Sequence, residues 1–345
     1  MTQNDIDPHT LSEYLVGQGI TLGTINKIEK FSDGQSNPTF RLSCEEGSFV
    51  LRAQPPGELL KSAHQVDREY RVMNALQGTG VPVPRMIHLA DGENPLGRKF
   101  FIMDYLDGRI FWDPALSELG ENADEERGKV YDAMNAALAA LHSVDPVAAG
   151  LEDFGRPGNY FERQLSRWTK QYVASEVDRN EDIHSLIGWL EQNPPPDDGQ
   201  VSLVHGDYRL DNMIFAADRP DILAVLDWEL STLGHPVADL SYQCMQWRLP
   251  HEGSFRGLGA LNRNELGIPD EQEYVRIYCE RRGLGKIENW PSYVAFSFFR
   301  LAAILQGVYK RSLDGNASNP ERARTYGAAV PLLGQMALQM IREES

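Results

Sequence analysis

The sequence has few cysteines, and they lack the spacing of a disulfide framework or a structural zinc site. Cys44, Cys244 and Cys279 are odd in number and far apart along the 345 residues. We therefore expect all three to be reduced residues of the core.

Positive charge is also scarce. The 33 lysines and arginines stand against 50 aspartates and glutamates, which gives a formal net charge of −17 at pH 7. Nucleic acids and anionic membranes attract basic patches, so this balance argues against both as partners. Much of the acidity falls in short runs, such as residues 121–126 and 176–182, that are typical of solvated helix ends and loops. A cationic substrate is the alternative explanation.

No apolar run approaches the roughly 20 residues that a transmembrane helix needs. The amino terminus also lacks the charged and then apolar segments of a signal peptide. We therefore expect a cytoplasmic protein. A chain of this length can form one large domain or two moderate lobes, each with its own core.

The first hundred residues predict a β-rich lobe, because segments with alternating, β-branched or aromatic residues are separated by turn residues. One helix is predicted within it, from about Ser62 to Leu76, where apolar residues recur at helical spacing. The expected order is strand, strand, strand, helix, strand, strand. The predicted strands are residues 24–31, 37–44, 47–54, 84–90 and 98–106.

The rest of the chain is dominated by long segments with helical periodicity, and strand signals occur there only around residues 202–215 and 221–230. The sequence thus predicts an α+β protein of two lobes. A small antiparallel β-sheet lobe with one helix occupies residues 1–104, and a larger, mainly helical lobe occupies residues 105–345. The main predicted helices are residues 124–144, 159–172, 182–193, 270–282, 293–312 and 326–341.

One short polar segment, "HGDYRLDN" (residues 205–212), lies between two apolar triplets that predict strands. It places Asp207 five residues before Asn212, which is the D-x-x-x-x-N spacing of phosphoryl-transfer loops. In such loops the aspartate accepts the proton of the attacking hydroxyl and the asparagine binds magnesium. A further ligand for the metal comes from Asp227, which ends an apolar strand in "AVLDWEL". His205 could act as a base, but we favour a structural role because Asp207 has the better position.

The stretch "LVHGDYRLDN" followed by "VLDWELSTLGHPVADLSY" resembles the aminoglycoside phosphotransferase family. That family consists of small-molecule kinases with a bilobal, protein-kinase-like fold. The resemblance extends over most of the chain. "FSDGQSNPTFRL" looks like the turn that covers the nucleotide, "FVLRAQPPG" like the third strand, and "HQVDREYRVMNAL" like the helix of the first lobe.

The resemblance implies ATP and Mg²⁺ as cofactors and a small-molecule hydroxyl as the acceptor. It implies that Asp207 is the catalytic base and that Asn212 and Asp227 are the magnesium ligands. Glu69 would pair with a basic residue on the third strand. The nucleotide contacts would come from Ser36 and Asn37 above the phosphates, from Arg52, and from the backbone around Met103 to Tyr105 at the adenine.

Two features depart from the family pattern. The third strand usually carries lysine at the position that contacts the α- and β-phosphates, and here it carries Arg52. Arginine keeps the charge but is bulkier and binds phosphate differently, so the exchange is not neutral. A surface position for Arg52 is the alternative. The phosphate-covering turn has only Gly34, so its backbone cradle is less complete.

Four further residues lie beside these motifs. By the resemblance, Asp239 supports the catalytic loop from a helix; a plain surface position is the alternative. Arg209 and Asp211 are expected to form local ion pairs, and Trp228 to pack in the core.

The acceptor is less specified. The variant with "GRPGNYF", "RWTKQY" and "LDWELSTLGHP" looks most like the branch of the family that is fused to acyl-CoA dehydrogenases, which implies a hydroxyacyl-CoA more than an aminoglycoside. The stretches at 109–114 and 158–172 offer aromatic and basic residues, including Arg163, Arg167 and Lys170, for an acceptor site that holds an anion. Helix packing with solvated charges is the alternative for these residues.

Two functions from different classes follow. The first is an ATP- and Mg²⁺-dependent kinase of a small-molecule hydroxyl. The second is a catalytically silent nucleotide-binding module, for which Arg52 and the sparse glycine turn are the motivating observations. The intact set of Asp207, Asn212 and Asp227 favours the kinase. The sequence leaves open the identity of the acceptor, the choice between ATP and GTP, and the oligomeric state.

Overall fold

The computed structural model describes residues 6–31, 37–57, 64–252, 256–315 and 320–344. Contacts between Cα atoms divide the chain into two compact units. Unit 1 comprises Met1–Arg109, Met213–Asp218 and Ile222–Ser231, and unit 2 comprises Ile110–Asn212, Arg219–Asp221 and Thr232–Ser345. The predicted boundary after residue 104 stays a prediction. The grouping of two later segments, Met213–Asp218 and Ile222–Ser231, with the first hundred residues was not predicted.

The described residues form ten α-helices, nine β-strands and several short 3₁₀ turns. In chain order the helices and strands are α1 (Pro8–Gly17), β1 (Ile25–Lys30), β2 (Thr39–Cys44), β3 (Gly47–Ala53), α2 (Val66–Ala75), β4 (Met86–Ala90), β5 (Phe100–Asp104), α3 (Asp124–His142), α4 (Tyr160–Ser175), α5 (Glu181–Gln192), β6 (Ser202–Val204), β7 (Met213–Phe215), β8 (Ile222–Val225), β9 (Thr232–Gly234), α6 (Val237–Cys244), α7 (Arg263–Leu266), α8 (Glu271–Arg282), α9 (Trp290–Leu313) and α10 (Pro320–Glu344).

Unit 1 is built on a five-stranded antiparallel sheet with the strand order β1-β2-β3-β5-β4. The predicted order of three strands, a helix and two strands is confirmed. Helix α2 begins at Val66 rather than near Ser62, a residue outside the described part of the chain. Its start is set by His64, whose φ of 59° is a left-handed conformation that a helix cannot contain.

Helix α1 was not predicted, although the sequence carries signals for it. The Asp7 carboxylate accepts the Thr10 N–H at 2.7 Å, and Pro8 occupies the first helical position. Leu11 and Leu15 then bury one face of this short helix in the apolar core of unit 1. Unit 1 also contains the antiparallel pair β7–β8, in which Met213 lies opposite Val225.

Unit 2 is mainly helical, as predicted, with β6 and β9 forming a two-stranded antiparallel pair. Its core lies where α4, α5, α6, α9 and α10 pack together. Helix α9 is long and apolar enough to span a membrane by length and composition, but 78% of its most apolar window is buried. A core helix of a globular protein passes the same test.

The three cysteines form no disulfide with one another. Cys244 and Cys279 are buried and Cys44 is half-buried, so their placement agrees with the predicted core role. Burial raises the pKa of the Cys44 thiol to about 11, which keeps it protonated at neutral pH.

Candidate functional site

In unit 2, the predicted catalytic loop follows β6 directly and begins with His205 and Gly206. Gly206 has a φ of 85°, a left-handed conformation that glycine adopts without strain. Its N–H and that of His205 both donate to the Asp239 carboxylate, at 2.8 and 2.6 Å. Because Gly206 also accepts a hydrogen bond from the buried Arg300 guanidinium, both polar groups of its backbone are fixed. The loop is therefore held at the residue before Asp207.

Asp239 lies on α6 and is 1% exposed. Besides the two backbone N–H groups, its Oδ2 lies 3.3 Å from the His142 Nε2. Burial raises the pKa of this carboxyl, but the hydrogen bonds from His142 and Gly206 outweigh burial and hold the pKa below its usual value. Asp239 is thus an ionised, buried anchor of the loop and not a surface residue.

Asp207 is held by donors on several sides. Its Oδ1 accepts the Tyr242 hydroxyl at 2.9 Å, and the Arg209 Nε lies 3.1 Å from the same oxygen. Burial raises the pKa of Asp207, but Arg209 and the hydrogen bond from Tyr242 outweigh burial and lower the pKa below its usual value. Burial raises the pKa of Tyr242, so its hydroxyl stays protonated and can donate. The carboxylate is ionised at neutral pH.

Asn212 is positioned by the same aspartate. Its Nδ2 donates to the Asp207 backbone carbonyl at 2.9 Å and to the Asp207 Oδ2 at 3.0 Å. These two bonds use both amide hydrogens and so fix which way the carboxamide points. No described residue donates to the Asn212 Oδ1. This oxygen has the chemistry of a hard-cation ligand.

The other residues of the loop have structural contacts. The buried His205 ring accepts the Asp207 N–H on Nδ1 at 3.1 Å, as its predicted structural role requires. Arg209 forms an ion pair with Asp211 at 3.1 Å. In unit 1, Trp228 is fully buried and donates to the Val225 carbonyl at 2.9 Å.

Unit 1 brings Arg52, Glu69 and Asp227 together. The Arg52 Nε lies 3.0 Å from the Glu69 Oε2, and its Nη2 lies 3.3 Å from the Asp227 Oδ1. The Arg52 side chain is 15% exposed, which is inconsistent with a surface position. Burial raises the pKa of Glu69 to about 7, although Arg52 pulls it in the opposite direction. A single arginine thus connects the helix carboxylate to the aspartate after β8.

Asp227 has a φ of 64° and a ψ of 63°, a left-handed conformation that non-glycine residues rarely adopt. Aspartate tolerates it better than most because its short polar side chain can bond locally. The side chain is 36% exposed, so it is accessible to solvent and to ligands. Strained, accessible carboxylates of this kind cluster at functional sites.

The predicted phosphate loop is only partly described. Asn37 is 1% exposed, and its Nδ2 donates to the Glu69 Oε1 at 2.9 Å while its Oδ1 contacts the His64 Nδ1 at 2.9 Å. In this arrangement its side chain supports Glu69. Ser36 and Gly34 lie outside the described residues.

The predicted adenine segment ends β5. Met103 is buried, and the Tyr105 ring lies under the Arg41 guanidinium at 4.2 Å. The N–H groups of Asp104 and Tyr105 donate to Arg85 and Ser48 carbonyls at 3.0 and 3.3 Å. Among the described residues, the next amide, that of Leu106, has no hydrogen-bond acceptor. This amide is a candidate adenine donor, one residue beyond the predicted segment.

The two stretches predicted to line the acceptor site, residues 109–114 and 158–172, differ in how exposed and how committed to the fold their side chains are. In unit 1, the Arg109 Nε donates to the Ala216 carbonyl at 3.0 Å, so this side chain is committed to the fold. In unit 2, Trp112 is 61% exposed. Arg163, Arg167 and Lys170 line a groove along α4.

The structure thus forms two groups from the predicted site residues. Unit 1 joins Asn37, Arg52, Glu69 and Asp227, and unit 2 joins Asp207 and Asn212. Tyr242 and Arg300, which hold the predicted catalytic loop, were not predicted from the sequence. Tyr242 was recognisable only as part of "HPVADLSY", and Arg300 lies on α9 without a local motif.

The chain is similar to a known protein family and to several known proteins. The model of the "Phosphotransferase enzyme family" matches residues 27–272, more than half of the chain. The acyl-CoA dehydrogenase family member 10 of Mus musculus is 43% identical over 98% of this chain and 31% of its own length. The acyl-CoA dehydrogenase family member 11 of Homo sapiens is 39% identical over 96% of this chain and 42% of its own length. The chain therefore spans about a third to two fifths of these curated relatives.

Solved structures show the same fold. A candidate aminoglycoside phosphotransferase from Ralstonia eutropha JMP134 is 44% identical, with a TM-score of 0.88 over 98% of this chain and 99% of that one. The spectinomycin phosphotransferase APH(9)-Ia, solved with ADP and spectinomycin, is 14% identical, with a TM-score of 0.63 over 98% of this chain and 99% of that one. The α+β, protein-kinase-like fold predicted from the sequence is confirmed.

Proposed function

The chain belongs to the phosphotransferase enzyme family and is a small-molecule kinase, and we propose that it transfers the γ-phosphoryl group of ATP to the hydroxyl of a hydroxyacyl-CoA. The observation that carries the proposal is the arrangement of Asp207 and Asn212. An ionised carboxylate is held by Tyr242 and Asn212, and the amide oxygen of Asn212 is left for a cation.

In the proposed reaction Asp207 orients the acceptor hydroxyl and accepts its proton. The new O–P bond forms as the bond from the γ-phosphorus to the bridging oxygen breaks, and ADP leaves. Because such transition states need little covalent help, positioning and neutralisation of phosphate charge supply most of the catalysis. The anchored loop around Gly206 and Asp239 meets the need for positioning.

The donor set fits Mg²⁺. Magnesium prefers oxygen ligands, such as the Asn212 amide oxygen of unit 2 and the Asp227 carboxylate of unit 1, and keeps waters and substrate phosphates in its coordination shell. Among the described residues, no group of three or more histidine, cysteine or acidic side chains could hold a metal ion. When bound, the ion would neutralise charge on the phosphate oxygens. Arg52, oriented by Glu69, would add positive charge on the same phosphates.

The acceptor class is supported by the relatives. The relatives named acyl-CoA dehydrogenase family members match this chain over only part of their own length. An acyl-CoA derivative is the type of substrate that a kinase domain and a dehydrogenase domain in one such protein could share. An aminoglycoside acceptor is the less favoured possibility, supported by the structural neighbours.

The catalytically silent module remains the second candidate, and the contact between Arg52 and Asp227 favours it. An arginine 3.3 Å from the proposed metal ligand competes with a cation for that carboxylate. If this contact persisted with nucleotide present, Mg²⁺-dependent binding would be weak.

The test is to incubate the protein with ATP and Mg²⁺ and a panel of hydroxyacyl-CoAs, aminoglycosides, choline and hydroxylated amino acids. The products are analysed by mass spectrometry. We expect a phosphorylated hydroxyacyl-CoA, with one ADP formed per phosphate transferred. Phosphorylation of aminoglycosides alone would contradict the proposed acceptor. Mg²⁺-dependent ATP binding without transfer to any acceptor of the panel would favour the silent module.

A further inference from the structure

Unit 2 contains a groove along α4 that none of the proposed catalytic residues lines. Its volume is about 910 Å³, and it is open to solvent along the helix. Its polar lining comes from α4 and the residue before it. These residues are Asn159, Glu162, Arg163, Ser166, Arg167 and Lys170.

The groove concentrates positive charge in a chain whose net charge is −17. Arg163, Arg167 and Lys170 follow one another at spacings of four and three residues, which places them on one face of the helix. Within the described residues, no carboxylate lies within ion-pair distance of any of the three. Arg163 donates to the Arg156 carbonyl at 2.6 Å, so it is oriented by the backbone. Glu162 supplies the negative charge of the lining, which leaves a positive excess.

Like charges four residues apart on a helix repel one another. Arg163 and Arg167 are such a pair. An anion in the groove would relieve this repulsion, and phosphate suits the site because arginine binds its oxygens in a bidentate manner while lysine contributes a point charge.

A continuous set of contacts connects the groove to the catalytic loop. The Arg167 guanidinium lies 5.2 Å from the Trp168 ring centroid, and the buried Arg300 guanidinium lies 5.8 Å from the same centroid. Arg300 also lies 5.1 Å from the Tyr242 ring and donates to the Gly206 carbonyl. Tyr242 in turn donates to Asp207. Arg167, which lines the groove, is therefore connected through Trp168 and Arg300 to the loop that carries the proposed base.

We propose that this groove binds the phosphate groups of the coenzyme A portion of the acceptor. This inference rests on the proposed function, because it assigns a hydroxyacyl-CoA to the same unit as Asp207. The diphosphate and the 3′-phosphate of coenzyme A are separated from the acyl group by the long pantetheine arm. A phosphate site away from the reacting hydroxyl is thus what this substrate class requires, and the cations of α4 are matched to it in charge.

The test is to measure the affinity of the full chain for free coenzyme A, 3′-dephospho-coenzyme A and pantetheine by calorimetry in low-salt buffer. The same titrations are run on the Arg167→Ala, Lys170→Ala double variant. The matched control is Lys129→Ala, Arg276→Ala, which removes two exposed positive charges from other helices of unit 2. ATP affinity and thermal unfolding are recorded for every protein.

We expect coenzyme A to bind more tightly than its dephospho form, and pantetheine to bind weakly. The α4 double variant should lose at least about tenfold in coenzyme A affinity, while the control variant, ATP binding and thermal unfolding stay unchanged. Equal coenzyme A affinity in the α4 variant and the parent, or no binding to the parent, would overturn the proposal. Coenzyme A binding that depends on α4, in a protein that phosphorylates no hydroxyacyl-CoA, would support the groove and refute the proposed acceptor.

Discussion

The two groups of proposed site residues are held by different kinds of contact. In unit 1, charged partners hold one another, since Arg52 joins Glu69 and Asp227. In unit 2, backbone groups and a neutral hydroxyl make much of the contact, since the Tyr242 hydroxyl donates to Asp207 and two backbone N–H groups of the loop donate to Asp239. The ion pairs of the first group could rearrange when a nucleotide and its cation bind, which suits a nucleotide site. The hydrogen bonds of the second group fix the position of Asp207, which suits a base that must be oriented toward one hydroxyl.

The largest expected effect concerns the exposed carboxylate of unit 1. Replacing Asp227 by Asn removes the charge but keeps a residue that tolerates the left-handed backbone. We expect turnover to fall by about 10³-fold, about 4 kcal/mol, and the Mg²⁺-dependent part of ATP binding to disappear. Calorimetric titration of ATP with and without Mg²⁺ measures this. Asp91→Asn, an exposed carboxylate of the same unit, is the control, and unchanged Mg²⁺ dependence in Asp227→Asn would remove its metal role.

The next effect is on stability and concerns the anchor of unit 2. Asp239→Asn leaves one acceptor for two backbone donors, so the free energy of unfolding should fall by about 2 kcal/mol in urea titrations. The pKa of Asp239 is lowered by folding, so its contribution is present above the usual value of 3.8 and is lost as the pH falls below it. The free energy of unfolding of the variant should therefore fall less steeply than that of the parent as the pH is lowered through the acid range. Asp132→Asn, an exposed aspartate, should change little, and an equal loss there would contradict the anchor role.

Tyr242→Phe tests whether the neutral hydroxyl positions the base. Loss of one hydrogen bond to Asp207 should reduce kcat by about tenfold, about 1.4 kcal/mol, with little change in ATP affinity. The pKa of Asp207 should rise when this donor is removed, so the acid limb of the pH–rate profile should move upward. Tyr293→Phe, which loses a bond to the Pro196 carbonyl, is the matched control. A profile that does not move would make Tyr242 merely a packing residue.

The smallest effect is expected for Arg52→Lys, which restores the residue type usual at this position of the family. A single ammonium cannot reproduce the contacts that the guanidinium makes with both Glu69 and Asp227. We expect the KM for ATP to change about threefold and Arg52→Ala to be far worse. Steady-state kinetics at varied ATP measure both variants. A large gain of activity in Arg52→Lys would instead show that the native arginine suppresses catalysis, as the silent module requires.

Much of the fold was predictable because its signals are local. Alternation gave the strands of the sheet, helical periodicity gave the long helices, and the spacing from Asp207 to Asn212 predicted the loop. Helix α1 was missed although Asp7 and Pro8 signal its start. The start of α2 was missed because the left-handed His64 follows no local rule.

Non-local contacts were harder to predict. Tyr242 and Arg300 reach the catalytic loop from helices that begin 25 or more residues after Asn212 in the chain. Nothing in their local sequence indicates which loop they contact. The anchoring by Asp239 was expected only from the family resemblance, and its two hydrogen bonds to backbone N–H groups became visible only in the structure.

The most direct test of the account compares ATP binding with phosphoryl transfer in Asp207→Asn. Asparagine keeps the size of the side chain but cannot accept the proton of the acceptor hydroxyl. We predict that turnover with the best acceptor falls by at least about 10²-fold while the dissociation constant for ATP in the presence of Mg²⁺ stays within about twofold of the parent. Retained turnover would contradict the assignment of Asp207 as the base and, with it, the proposed mechanism of the loop.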